Sequence, residues 1–319
     1  SRGLGDVYKR QQELLFPGMI TLDGISKSYG EQELFRDAGF KLNAGERLGL
    51  VGRNGSGKTT LLRLITGEEA PDAGQVVKPK NYSIGRVSQT PSFTGATVVA
   101  EGCLGLGAAE RDHVWKVEKI LAGLGFTDED MRRPPGELSG GFQVRLNLAK
   151  ALVAEYDLLL LDEPNNYLDI TSIRWLTRFL REWRGELILI THDRSFMDHV
   201  ATHVMAIYRK GLRKIRGDTG KLYDQIAQEE EVYEKTRLND EKKRKKAEEF
   251  IRRFRAKARL AGMVQSRIKT LEKQEKLERL EQAPDLDFSF SFLPFNGKAV
   301  LNAEGLSFGW DEAPPLFED

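Results

Sequence analysis

The chain has 319 residues, 40% of them apolar, with 49 Lys and Arg against 48 Asp and Glu. That is long enough for a large core and more than one structural unit, and no stretch reaches the roughly 18 consecutive apolar residues of a membrane span. Cys103 is the only cysteine, which excludes an intrachain disulfide, and no charged, apolar, small-residue signal segment is evident, so the chain reads as cytoplasmic.

Residues 1–18 open with SRGLGDVYKRQ, which has no periodicity, and are set aside as a non-native or disordered leader. From Met19, MITLDGISKSYG alternates as a strand does. RLGLVG at 47–52 predicts a second strand that runs into a glycine-rich turn and then a helix, LLRLITG. DLLLLDEP (157–164) and ELILITHD (186–193) are short apolar runs ending in acidic or polar residues, and TSIRWLTRFLREW between them has helical spacing. Buried strands alternating with helices predict an α/β domain over 19–221 with a largely parallel sheet.

VMAIYRKGLRKIRG (204–217) predicts a hairpin around Gly211. The character then changes: Leu222 to about Gln282 has no proline, one glycine and charge throughout. A charged helical hairpin over 222–295 is expected, its two long helices broken near Ala261–Met263. Within it, residues 241–273 carry thirteen Lys and Arg against four Glu, in a chain of net charge +1. Finally, DGISKSYGEQELFRD (23–37) aligns with EGLSFGWDEAPPLFED (304–319), with Tyr29 opposite Trp310. Residues 296–319 are therefore expected to begin a second, truncated copy of the first domain.

Three motifs carry chemistry. GRNGSGKTT (52–60) fits G-x-x-x-x-G-K-[ST] between a strand and a helix. Backbone N–H groups of Gly52, Asn54, Gly55, Ser56 and Gly57 would close around phosphates at the positive end of the helix that begins with Lys58, Thr59 and Thr60. Lys58 would reach β- and γ-phosphates and the Thr59 hydroxyl would ligate Mg²⁺. LLLLDEP supplies Asp162 for the metal and Glu163 to polarise an attacking water. LSGGFQ (138–143) precedes a helix, so Ser139, Gly140 and Gly141 offer a second anion site. Each has a bland reading, as a glycine turn, a pair of solvated acids and a helix cap; the ordered set argues against all three together.

With Tyr29, Gln89 and His192 of ITHD, that ordered set resembles the ATP-binding cassette ATPase domain across about 200 residues. The resemblance implies that ATP and Mg²⁺ are bound. It further implies that Tyr29 stacks on adenine, Gln89 senses the metal and γ-phosphate, Asp169 faces a partner domain and His192 contacts the γ-phosphate. In this family the phosphate loop of one domain faces the LSGG of another, so one copy holds two half-sites and its own second cassette would complete them. The helical linker and incipient repeat further resemble the ABC-F proteins, which act on ribosomes. By that resemblance Arg252, Arg253, Arg255, Lys257, Arg259 and Arg267 would meet rRNA or tRNA, as clustered cations on a protruding hairpin can. EPNNYLD differs from the EPTNHLD of those proteins at Asn165 and Tyr167, changes not expected to threaten hydrolysis. Only 48 residues separate Gln89 from Leu138, too few for the helical arm many of them insert there. The competing readings are an ATPase subunit of a membrane transporter and a scaffold that binds nucleotide without hydrolysing it.

Overall fold

The structure, a computed structural model, describes residues 20–87, 92–254, 261–273, 297, 301–309, 315 and 317–318. The chain divides into two compact units, Ser1–Tyr233 and Glu234–Asp319.

The first unit is built on the apolar runs. Strands β3 (Arg47–Val51), β5 (Ile84–Arg86), β6 (Leu158–Asp162), β7 (Glu186–Ile190), β8 (His203–Tyr208) and β9 (Gly211–Arg216) form one sheet in the order β5-β6-β7-β3-β8-β9. All its pairings are parallel except β8–β9. The largely parallel α/β sheet expected from the sequence is the one observed. Leu158 to Leu161 have no exposed surface because both faces of the sheet are covered. Leu159, Leu161, Leu187 and Leu189 face one core, with helices α2 (Val98–Cys103), α3 (Val114–Gly123), α4 (Asp128–Arg132), α5 (Gly140–Val153) and α6 (Ile170–Arg181). Leu158, Leu160, Ile188 and Ile190 face the other, with α1 (Lys58–Thr66) and the strands β1 (Ile20–Tyr29) and β2 (Gln32–Leu42). Side-chain alternation thus sends each run to both sides, and each buried Leu contributes roughly 1.5–3 kcal/mol.

A separate three-stranded antiparallel sheet, β2-β1-β4 with β4 at Ala73–Val77, covers α1 and carries Tyr29. The region between Gln89 and the signature is compact. Among the described residues from 92 to 137 no helix exceeds the ten residues of α3, which leaves no long arm there.

One local expectation is corrected. The β8–β9 turn is not centred on Gly211, which pairs with Tyr208 in the ladder. The two turn residues are Arg209 (φ 49°) and Lys210 (φ 61°), a left-handed pair that matches strand twist in a two-residue hairpin. That backbone is held where glycine would be usual: the Arg36 N–H donates to the Lys210 carbonyl at 2.8 Å, and the Arg209 guanidinium lies 4.0 Å from the Tyr233 ring and 5.0 Å from that of Tyr208. Of the charged hairpin's second helix, Ala261–Lys273 is described as helix α9, with Gly262 in its first turn, and the residues between 254 and 261 lie outside the described residues. The preceding helix, α8, runs Thr219–Phe254 after α7 (Arg194–Val200). Its start is pinned: the Thr219 N–H and hydroxyl donate to the two Asp198 carboxylate oxygens at 2.8 and 2.9 Å, and Leu222 is fully buried. Farther along, α8 is laced with pairs one turn apart, such as Arg237 with Glu241 and Arg244 with Glu248, each contributing a few tenths of a kcal/mol.

Candidate nucleotide site

The phosphate loop leaves the end of β3 and enters α1 through Gly57, whose φ of 99° is in the left-handed region. A Cβ there would also stand 3.0 Å from the Phe35 ring, so both backbone and space require glycine. No side chain caps α1 and no acidic residue lies in its first turn, which leaves its first N–H groups and positive end for an anion. Lys58 curls back over the loop, its Nζ donating to the carbonyls of Gly52 at 2.7 Å and Arg53 at 3.1 Å. It forms no ion pair with a described residue, so its charge is left for a ligand. The Ser56 hydroxyl is buried with no hydrogen-bond partner, an unmet polar atom inside the loop. Together these donors fit a polyphosphate. Asn54 and Gly55 form the exposed outer rim, and Thr59 and Thr60 lie half-buried in the first helical turn.

Adjacent strands deliver the acidic groups. Because β6, β7 and β3 are neighbours, Asp162 at the end of β6, His192 after β7 and Lys58 after β3 meet beyond the same sheet edge, where α/β folds bind ligands. Burial pushes the Asp162 carboxyl up from its ordinary range, against the opposing pull of Arg86, Lys58 and His192. A cation beside it would favour the ionised form, so Asp162 with Thr59 fits a Mg²⁺ ion, a hard cation that takes oxygen ligands. Glu163 sits at φ 52°, a left-handed backbone rare for its type, fixed by its N–H donating to the Ile190 carbonyl at 2.8 Å. One carboxylate oxygen accepts from the His192 N–H at 3.3 Å and the other lies 3.5 Å from His192 Nε2. The two residues proposed for catalysis are thus in contact, with His192 well exposed.

Tyr29 is 45% exposed at the end of β1, its hydroxyl donating to Glu69 at 2.5 Å and its ring 5.5 Å from the Lys27 ammonium. Ser139 is the N-cap of α5, accepting from the Phe142 N–H, and Gly140 and Gly141 open that helix. Gly141 packs beside Tyr167, since a Cβ on it would lie 3.5 Å from the Tyr167 Cβ. Asp169 caps α6: the Ser172 N–H donates to it at 2.8 Å and, with the Ser172 hydroxyl and Arg145, holds its carboxyl below the ordinary range. Gln89 lies outside the described residues, as do Arg255, Lys257 and Arg259 and the side chain of Arg267; Arg252 and Arg253 are exposed near the end of α8.

Three positioning residues escaped the sequence reading. Asn165 accepts a hydrogen bond from the Thr191 hydroxyl at 2.7 Å, and Thr191 in turn accepts from the Asp193 N–H at 3.1 Å. This ties the segment after Glu163 to the segment carrying His192. Arg145, three residues into the signature helix beyond Phe142, donates to the carbonyls of Tyr167 at 2.7 Å and Leu124 at 3.0 Å. Glu101, fully buried, accepts from the Thr94 and Gly95 N–H groups and from the Lys150 ammonium.

Comparison with known proteins now bears on this geometry. Two family models, each described as ABC transporter, match residues 35–166 and 205–290. The chain belongs to the ABC ATP-binding cassette family. It is 32% identical to the Escherichia coli K12 protein named "Probable ATP-binding protein YheS" over 92% of this chain and 51% of that protein. It is 31% identical to human "ATP-binding cassette sub-family F member 3" over 93% of this chain and 47% of that protein. "ABC transporter F family member 5" of Arabidopsis thaliana is 28% identical over 92% of this chain. The resemblance to the ABC-F group is borne out by these relatives, and the chain spans about half the length of most of them. Among solved structures, a dimeric bacterial ABC transporter cassette superposes with TM-score 0.51 at 21% identity over 62% of this chain and 98% of that one. An ATP-binding subunit of an ABC transporter gives 0.53 at 20% identity over 66% of this chain and 93% of that one. At such identities they attest the fold. Cassettes of this family are ATPases.

Proposed function

We propose that this chain is the nucleotide-binding portion of a cytoplasmic ABC-F type protein that binds and hydrolyses Mg-ATP while acting on the ribosome. The observation that carries the ATPase reading is the convergence of Lys58, Asp162, Glu163 and His192 beyond three adjacent strands. Lys58 and the first N–H groups of α1 bind the phosphates. Bound Mg²⁺ neutralises phosphate charge and orients the terminal phosphate. Glu163, held by its own backbone strain and by the His192 N–H, orients and deprotonates the attacking water. His192 donates toward the γ-phosphate, and Gln89 and Tyr29 are assigned to the metal and the adenine. Ser139, Gly140 and Gly141 serve the opposing cassette, with Asp169 and Arg145 fixing the loop between them and the acidic segment.

A second cassette beginning near residue 296 is supported by a repeated local geometry. The alignment that sets Asp23 against Glu304 puts Gly24 on Gly305 and Lys27 and Phe35 on Phe308 and Phe317. Gly24 and Gly305 share a left-handed φ, 61° and 65°, and the Lys27–Phe35 pair has its counterpart in an antiparallel bridge between Phe308 and Phe317.

The ribosome reading rests on the relatives and on the basic segment. Exposed Arg252 and Arg253 begin a run of cations suited to a phosphate backbone and to no base in particular. The domain plan is a cassette at 19–221, a linker at 222–295 that meets rRNA or tRNA, and the second cassette after it. Among the described residues no helix is long and apolar enough to cross a membrane. Phosphate release by the full-length protein tests this: it should require Mg²⁺, fall at least a hundredfold in Glu163→Gln and rise when purified ribosomes are added. Turnover indifferent to ribosomes would favour the transporter-subunit alternative, and absence of turnover in every condition would favour a non-hydrolysing scaffold.

A further inference from the structure

On the helical side of the first unit, the ends of α3, α5 and α6 enclose a groove of about 540 Å³ that no part of the nucleotide site uses. Its size lies within the range of ligand pockets, roughly 300–1,000 Å³. The floor is aromatic. Trp175 and Phe179, four residues apart, share one face of α6, and Trp183 follows two residues past its end. Trp175 and Phe179 stack at 5.1 Å between centroids, and Phe179 and Trp183 tilt at 6.1 Å. Trp115 on α3 forms the opposite lip and is 57% exposed. Gly123 leaves room for the close approach of α3 to α6, since a Cβ there would stand 2.0 Å from the Trp175 ring.

The polar groups lining this groove are mostly donors without acceptors. The Trp183 indole N–H is buried with no hydrogen-bond partner. Lys119, Arg178 and Arg184 line the groove, and none forms an ion pair with a described residue. Lys116, by contrast, is already engaged by Glu110 and Glu155. Three free cations and an unmet N–H therefore face one free carboxylate, Glu182, around an apolar floor. The buried Trp183 N–H is an unmet donor in the groove wall, a group whose pairing favours an acceptor ligand. The complement is a ligand with carboxylates at its edges and a bulky apolar body.

We propose that this groove docks an acidic peptide segment of a partner protein, with one aromatic or aliphatic side chain against Trp183 and Trp115 and flanking Asp or Glu side chains on Arg178 and Arg184. Trp and Arg are the residue types that dominate such anchoring contacts. A single-stranded nucleic acid fits less well. Trp175 and Phe179 stack on one another, which leaves fewer free faces for bases.

The test uses the 319-residue chain and a capped peptide, acetyl-Asp-Glu-Leu-Phe-Asp-Glu-amide. Three of the four tryptophans of the chain line the groove, so intrinsic fluorescence reports binding. A saturable change is expected. Trp183→Phe, which removes the N–H and keeps most of the ring, should weaken binding roughly fivefold. Arg178→Glu with Arg184→Glu, exposed changes that leave the aromatic floor intact, should abolish it and admit the matching peptide with Lys in place of Asp and Glu. Circular dichroism confirms that each variant is folded. Equal binding of the Lys peptide to the unaltered chain, no saturable change with the acidic peptide, or its displacement by oligouridylate at lower concentration would each overturn the proposal.

Discussion

The Asn165–Thr191 hydrogen bond makes a sharp claim about catalysis, because it joins the segment after Glu163 to the segment carrying His192. Replacing Asn165 with Ala removes the acceptor at 2.7 Å from a hydroxyl on a residue only 8% exposed. Stripping a buried hydroxyl of its acceptor costs about 1–3 kcal/mol, and Thr191 retains its bond from the Asp193 N–H. The loss should therefore fall near the lower end, about 1–1.5 kcal/mol. If that restraint holds His192 against Glu163, the loss appears in the transition state as a five- to tenfold fall in kcat. Nucleotide contacts through Lys58 are untouched, so KM for ATP should change less than twofold. Asn165→Asp, which keeps an oxygen acceptor in place, should retain most of the activity. Steady-state phosphate release by the full-length protein, with an equilibrium melt as control, measures all three. A kcat for Asn165→Ala equal to that of the unaltered protein would refute the reasoning, as would equal losses in the Ala and Asp variants.

Other perturbations follow from the same geometry. Lys58→Ala removes the cation left over the phosphate loop and should abolish detectable ATP binding by fluorescent-nucleotide titration while leaving the melt unchanged. Glu101→Gln breaks a buried pair whose partner Lys150 still reaches solvent, so thermal or urea unfolding should show a loss of about 1–3 kcal/mol. Burial opposes ionisation of Glu101, but Lys150 and the Gly95 and Thr94 N–H groups outweigh it and hold its carboxyl below the ordinary range. A lowered folded-state value gives stability that is present above the unfolded value and lost as pH falls through the folded one. Acid titration of stability below about pH 4.5 should accordingly be shallower in Glu101→Gln. Gly123→Ala forces a methyl into the Trp175 ring and should cost about 1–3 kcal/mol in the same unfolding assay.

What the sequence made legible, and what it did not, follows from the range of the interactions concerned. Strands β6 and β7 were readable because burial on both faces demands an unbroken apolar run, and α1 because its glycine loop and apolar spacing are both local. The three-stranded sheet was not, since β4 is mostly exposed and AGQVV carries no alternation that separates it from loop. The hairpin turn was misplaced by one step because contacts from Arg36, Tyr208 and Tyr233 hold Arg209 and Lys210 in backbone that glycine usually takes. Gly262 lies in the first turn of α9, where glycine costs a helix little because that turn lacks N–H partners anyway. At the site, single residues with fixed spacing were found, whereas Asn165 could not be. Its role exists only because β6 lies beside β7, which brings Thr191 within reach across 26 residues.

Co-sedimentation tests the central claim most directly. The full-length protein carrying Glu163→Gln would be pelleted with purified ribosomes with and without Mg-ATP, alongside a variant with Arg252, Arg253, Arg255, Lys257 and Arg259 neutralised. The account predicts ATP-dependent pelleting that the neutralised variant loses and that weakens steeply with salt. Nucleotide binding intact but pelleting absent in both states would contradict it.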